Sequence, residues 1–138
     1  MIYWITGKSG AGKTTLAYVL KKNIRRSIIL DGDEIRSIIP NDFSDEGRWN
    51  NITTVIKLAE LLVKQEYVPI VAMISPKKEW REEARKHFEE FKLIYVKGGS
   101  LWKGTTYDEP TEDEYLMVYD WKETYECTKF IGLLLGLI

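Results

Sequence analysis

Five short apolar runs, dense in β-branched and aromatic side chains, punctuate the chain at residues 2–6, 27–31, 68–75, 93–97 and 115–119. Runs of that length, bounded by glycine or charge, predict strands. Between them, apolar positions recur at helical spacing over 13–25, about 47–66, 77–91 and 123–138. Strands alternating with helices predict an α/β fold, with a five-stranded, mostly parallel sheet flanked by helices in a three-layer α/β/α arrangement. Ligands of such sheets sit beyond the carboxyl ends of the strands. Three polar clusters fall there: a glycine-rich stretch after the first run, "DGDEIR" after the second and "ISPKK" after the third. Residues far apart in sequence are therefore expected to converge on one edge.

Composition narrows the classes without choosing among them. A chain of 138 residues, 44% hydrophobic, has room for one core, and 1–138 reads as one domain. Twenty basic residues against 21 acidic ones leave a net charge of -1. That balance argues against a nucleic-acid coat or a membrane-surface protein, and leaves nucleic acid only as an end-group substrate touched locally. The single cysteine, Cys127, has no partner for an internal disulfide and reads as a passive core residue; a lone thiol suits a reducing cytoplasm. "MIYWITG" lacks a basic leader and reads as a strand, not a signal peptide. The apolar tail "FIGLLLGLI" falls well short of the roughly twenty residues a membrane span needs, and reads as the buried end of a last helix.

The stretch "GKSGAGKTT" carries the chemistry. Gly7, Gly12, Lys13 and Thr14 satisfy G-x-x-x-x-G-K-[ST], with a strand before and a helix after, as that pattern requires. Glycines let backbone N–H groups face a β-phosphate, and the helix N-terminus adds a favourable field. Lys13 would bridge β and γ oxygens while the Thr14 hydroxyl holds Mg²⁺. Gly7, Ser9, Gly10, Ala11, Gly12, Lys13, Thr14 and Thr15 are thus the expected ATP-binding loop of a P-loop NTPase fold.

The "DGDEIR" segment is expected to bring Asp31, Asp33 and Arg36 near the γ-phosphate. A carboxylate there can orient an acceptor hydroxyl or help hold the metal, and Arg36 can fork onto an acceptor phosphate. Asp33 is the reading for base or metal-positioning group; Asp31, the acid nearer the strand, can equally cap a helix. Lys13, Asp33 and Arg36 form the expected catalytic set. On residues and spacing alone, the chain is a small P-loop kinase.

Taken together, "GKSGAGKTTLA", "LDGDEIR", "NDFSDEGRWNNI" and "AMISPKKEWREEAR" resemble the adenylylsulfate kinase (APS kinase) family in order and spacing, over about the first ninety residues. The resemblance implies transfer of the γ-phosphate of ATP to the ribose 3′-hydroxyl of adenosine 5′-phosphosulfate (APS). It implies that Arg36, Arg48 and Asn51 grip the phosphosulfate, that Phe43 stacks on the acceptor adenine, and that Ile74 and Ser75 line the pocket through strand-end backbone. Guanidiniums suit a dianion and a ring face suits a purine. The plain alternatives are a solvated helix charge for Arg48 and a core staple for Phe43. Arg81 is the residue of the 77–91 segment expected nearest acceptor or nucleotide. His87, late on that segment among charges, reads as a surface residue. Related enzymes are often dimers, so a homodimer is a further expectation, although the sequence marks no interface.

Two departures from the family pattern stand out. Gly47 occupies the place of an acid that would position Arg48. After the fourth strand, "YVKGG" runs directly into "SLWKGTTYDEP", without the long basic lid. Trp102 aligns loosely with a family aromatic that would sandwich the acceptor base against Phe43, and Lys103 could reach a phosphate. Three readings follow: an APS-kinase-like enzyme, a lid-trimmed kinase acting on a hydroxyl of another nucleotide, metabolite or nucleic-acid end, and a nucleotide-binding module with little turnover.

Overall fold

The computed structural model describes residues 1–101, 104–120 and Gly132. The elements, in chain order, are β1 (Ile2–Thr6), α1 (Lys13–Asn23), β2 (Ser27–Asp31), α2 (Gly32–Ile38), α3 (Asp45–Lys64), β3 (Val68–Ala72), α4 (Lys78–Lys86), β4 (Phe91–Val96) and β5 (Met117–Tyr119). The strands lie in the order β2-β3-β1-β4-β5, and every pairing is parallel. The helix expected over 123–138, with Cys127, lies outside the described residues.

All five residues of β1 are buried, which explains an apolar run that does not alternate. Tyr3 and Ile5 face one side, where Leu16, Ala17 and Leu20 of α1 cover Ile70 and Ile94. Ile2 and Trp4 face the other, against Ile52, Val55, Ile56 and Ala59 of α3. Each of the leucine, isoleucine and valine side chains among them contributes about 1.5–3 kcal/mol on leaving water. Among the described residues, no helix is long and apolar enough to cross a membrane.

Several boundaries differ from the pattern reading, each for a local reason. Strand β3 ends at Ala72, with one further bond from Met73 N–H to the Ile5 carbonyl, and cannot reach the expected Ser75, which adopts φ 48, a left-handed conformation no strand continues through. The amphipathic pattern over 77–91 overshoots α4, since the chain must turn after Lys86 to lay Phe91 beside Ile2. Strand β5 begins only at Met117, because Glu114 and Tyr115 fold back as a turn whose N–H groups both donate to the Thr111 carbonyl. The short helix α2 had no apolar period to announce it; Asp31 starts it, accepting bonds from the Asp33 and Glu34 backbone. Ser44 caps α3, taking the Gly47 N–H at 3.1 Å.

Candidate active site

The phosphate loop joins β1 to α1 at the carboxyl edge of the sheet. Helix α1 starts without a side-chain cap and without an acid in its first turn, so its first N–H groups and its dipole remain open to an anion. The Lys13 ammonium lies over the loop and donates to the Lys8 carbonyl at 2.8 Å. Burial lowers its pKa to about 8, against the opposing pull of the Asp33 and Asp31 carboxylates. The segment after β4 braces the loop from outside. Ser100 N donates to Ser9 O at 2.9 Å, and Gly99 comes so close that a Cβ there would meet the Ser9 carbonyl.

Asp31 serves two elements at once. One carboxylate oxygen caps α2, and the other accepts the Thr14 hydroxyl at 2.7 Å. This pair of hard oxygen donors, the buried Asp31 carboxylate and the exposed Thr14 hydroxyl at the first turn of α1, suits a magnesium ion. Asp33 lies two residues further on, its side chain 92% exposed, with Arg36 at 3.2 Å. Arg36 in turn places its guanidinium 4.3 Å from the centre of the Phe43 ring. Burial shifts the Arg36 pKa down, opposed by Asp33 and reinforced by the like charge of Arg48.

These groups share one cavity of about 450 Å³. Ser9, Gly10, Gly12, Lys13, Thr14 and Thr15 line its phosphate end; Asp31, Asp33, Arg36, Phe43, Arg48 and Asn51 line the far end; Ile74 and Ser75 supply a wall. Gly7 and Ala11 shape the loop without lining the cavity. Trp102 and Lys103 lie outside the described residues. Pattern reading missed Leu101, Met73 and Pro76, all in the lining; Met73 and Pro76 flank the expected pair in sequence, which was the available signal. Arg81 does not reach the cavity: it is buried at 1% exposure beneath the wall, paired with Glu114.

The absent acid at position 47 has a steric explanation. A Cβ there would collide with the carboxylate and carbonyl of Asp42, which closes against the first turn of α3 and accepts from Ser44. His87 lies 3.3 Å from Glu60 on the outer surface.

A family model for adenylylsulphate kinase matches residues 1–110. The chain belongs to the adenylylsulphate kinase family. Among its relatives, a probable adenylyl-sulfate kinase of Archaeoglobus fulgidus is 44% identical over 100 residues, covering 68% of this chain and 64% of the relative. One from Pyrococcus abyssi is 48% identical over 99 residues, covering 67% and 57% respectively. The chain thus matches well under two thirds of the second relative's length and slightly under two thirds of the first's. The fold is also that of the Mycobacterium tuberculosis APS kinase in complex with AMPPNP and APS, with a TM-score of 0.82 and 20% identity, covering 99% of this chain and 95% of that one.

Proposed function

We propose that this chain transfers the γ-phosphate of ATP to the 3′-hydroxyl of adenosine 5′-phosphosulfate. The observation that carries the reading is one cavity with two differently equipped ends. A lysine and a helix N-terminus suit the phosphates of a nucleotide, and two arginines with an aromatic ring suit an anionic nucleotide acceptor. Arg36 Nε and Asn51 Oδ1 are both buried without a hydrogen-bond partner among the described residues. Such atoms are costly unless a ligand satisfies them, and a nucleotide offers both acceptors and donors.

In this reading Lys13 holds the β and γ oxygens, and the helix α1 N-terminus fixes the phosphate chain. Thr14 and Asp31 would hold the magnesium ion, with Asp33 the further candidate ligand, and the ion would neutralise charge on the phosphate oxygens. Asp33, exposed at the cavity mouth, takes the proton of the acceptor hydroxyl, and Arg36, Arg48 and Asn51 orient the phosphosulfate. Phe43 offers its half-exposed ring to the adenine. The complex of AMPPNP and APS with the tuberculosis kinase supports both ligands for this fold. The family match and the nucleotide chemistry also support a place in sulfate assimilation in the cytoplasm.

The test is ADP release from Mg-ATP, comparing APS with a panel of nucleosides, nucleotides and oligonucleotide ends. A response to APS that Asp33→Asn removes, with ATP binding retained, is the expected result. Turnover only with another acceptor would mean that the pocket serves a different hydroxyl, and no acceptor-dependent turnover would leave a binding module.

Lys13 gives nucleotide binding a pH dependence. The charged ammonium is the form that binds phosphate, so a bound nucleotide raises its pKa above the free value of about 8. Affinity is therefore full below the free value and falls as pH rises through it. At about pH 9 roughly one free chain in ten retains the charge, so the apparent Kd for Mg-ATP should be about tenfold weaker than near pH 7, with proton uptake on binding. Calorimetry in buffers of differing ionisation heat measures both, and a flat profile would contradict the assigned role of this ammonium.

A further inference from the structure

The cavity wall after β3 is held in an unfavourable shape by a segment far from it in sequence. Ser75 sits at φ 48, a conformation that costs a non-glycine residue on the order of 1–3 kcal/mol and survives only where neighbours dictate it. Those neighbours can be named. The carbonyl of Ile74 accepts the Thr6 hydroxyl at 2.5 Å, the carbonyl of Ser75 accepts Arg81 Nη1 at 2.7 Å, and the carbonyl of Pro76 accepts the Asp108 N–H at 2.7 Å. Three successive carbonyls are thus tied down. The Ser75 hydroxyl also takes the Trp4 indole N–H at 2.9 Å.

Most of these ties lead back to residues 107–114. Thr6 spends its one hydroxyl proton on Ile74, so the Tyr107 hydroxyl, 2.7 Å away, is the donor that braces Thr6. Arg81 is gripped by Glu114 through Nε at 2.5 Å and Nη2 at 3.3 Å, and Nη2 also donates to the Asp108 carbonyl at 2.6 Å. Asp108 further accepts the Lys78 N–H at the start of α4, where Lys77 provides no side-chain cap. A buried ion pair is weak evidence for stability, because an apolar pair of like volume often serves as well. What an apolar pair could not supply is the donors on Ser75 and Asp108.

We propose that Tyr107, Arg81 and Glu114 are positioning residues for the acceptor: they hold Ser75 in its left-handed conformation and so fix the wall against which the acceptor seats. The inference rests on the reading of the far end of the cavity as an acceptor site. None of the three side chains lines the cavity, so each acts only through the 74–76 backbone. The segment that follows the missing lid thereby has a task of its own, shaping the acceptor end from below.

The experiment uses two conservative variants in the full chain, Tyr107→Phe and Arg81→Lys, and reads KM for APS, KM for ATP and amide exchange. Tyr107→Phe removes one brace; a single hydrogen bond of about 1 kcal/mol corresponds to roughly a fivefold rise in acceptor KM, with the ATP KM within about twofold. Arg81→Lys keeps the charge for Glu114 but loses the fork, and should raise acceptor KM further. Exchange over residues 73–80 should accelerate in both while exchange in α1 stays as in the parent chain. Parent-like acceptor KM and exchange in Tyr107→Phe would overturn the proposal, as would equal rises in both KM values or faster exchange along the whole chain. If the parent chain releases no ADP with APS, the acceptor assignment fails separately, and exchange over 73–80 still decides whether the clamp exists.

Discussion

Glu114→Ala should cost the folded chain about 3–5 kcal/mol, the loss expected when one partner of a buried ion pair is removed and the other is left without compensation. Both side chains are 1% exposed, so the Arg81 guanidinium has no route to water once the carboxylate is gone. Arg85 adds to the dependence on this turn by donating to the Glu114 carbonyl at 2.6 Å, although that bond survives the substitution. Urea denaturation of parent and variant measures the difference through the shift in midpoint at unchanged slope. Replacing both partners together, as Arg81→Met with Glu114→Leu, should recover the part of the loss due to the stranded charge and no more, because the Ser75 and Asp108 carbonyls then lose the donors that Arg81 supplies. A single-variant loss below about 1 kcal/mol would show that water reaches Arg81 after all.

Lys13→Ala should lower turnover by about 10²–10³-fold, the scale for removing a donor aimed at charge that develops during transfer. The fold should be nearly indifferent. The ammonium is partly desolvated, as its lowered pKa attests, and among the described residues its hydrogen bond is to the Lys8 carbonyl in its own loop. The sign of the effect is therefore separable: ADP release collapses, the melting point without ligand barely moves, and the rise in melting point produced by Mg-ATP in the parent chain is largely lost. Parent-like turnover in this variant would end the kinase reading.

What could be read in the sequence followed from how local its cause was. Strand β1 was legible to the residue because it is buried along its whole length and reads as a near-continuous apolar run, and β2 because its three apolar residues stand between a serine and an aspartate that mark its ends. The phosphate loop was legible because its glycine spacing is dictated by close approach of backbone to phosphate. Asp31 was legible only as an alternative, since capping α2 and accepting the Thr14 hydroxyl both require a carboxylate at that position and the sequence cannot say that one residue does both. Helix α2 was hidden because two mostly exposed turns, with Gly32 alone buried, have no buried stripe. The Arg81 and Glu114 pair was hidden for the opposite reason. Glu114 is one acid in the run "YDEPTEDEY", and Arg81 one cation on a helix full of charges; only the fold buries these two and leaves their neighbours in water. The absent acid at 47 read from the sequence as a missing positioning charge for Arg48, whereas in space it is room taken by Asp42.

The strand order sets the schedule on which this chain can reach its native state. Strand β1 lies at the centre, and Tyr3 pairs with Ile70 on one side and Lys92 on the other. Among the described strands no hairpin is available to start the sheet, so both neighbours of β1 must close long loops before the centre gains a single ladder bond, which makes assembly slow. A polypeptide cut or stalled before residue 96 has a middle strand apolar on both faces with one edge bare, the kind of surface on which intermolecular β-pairing begins.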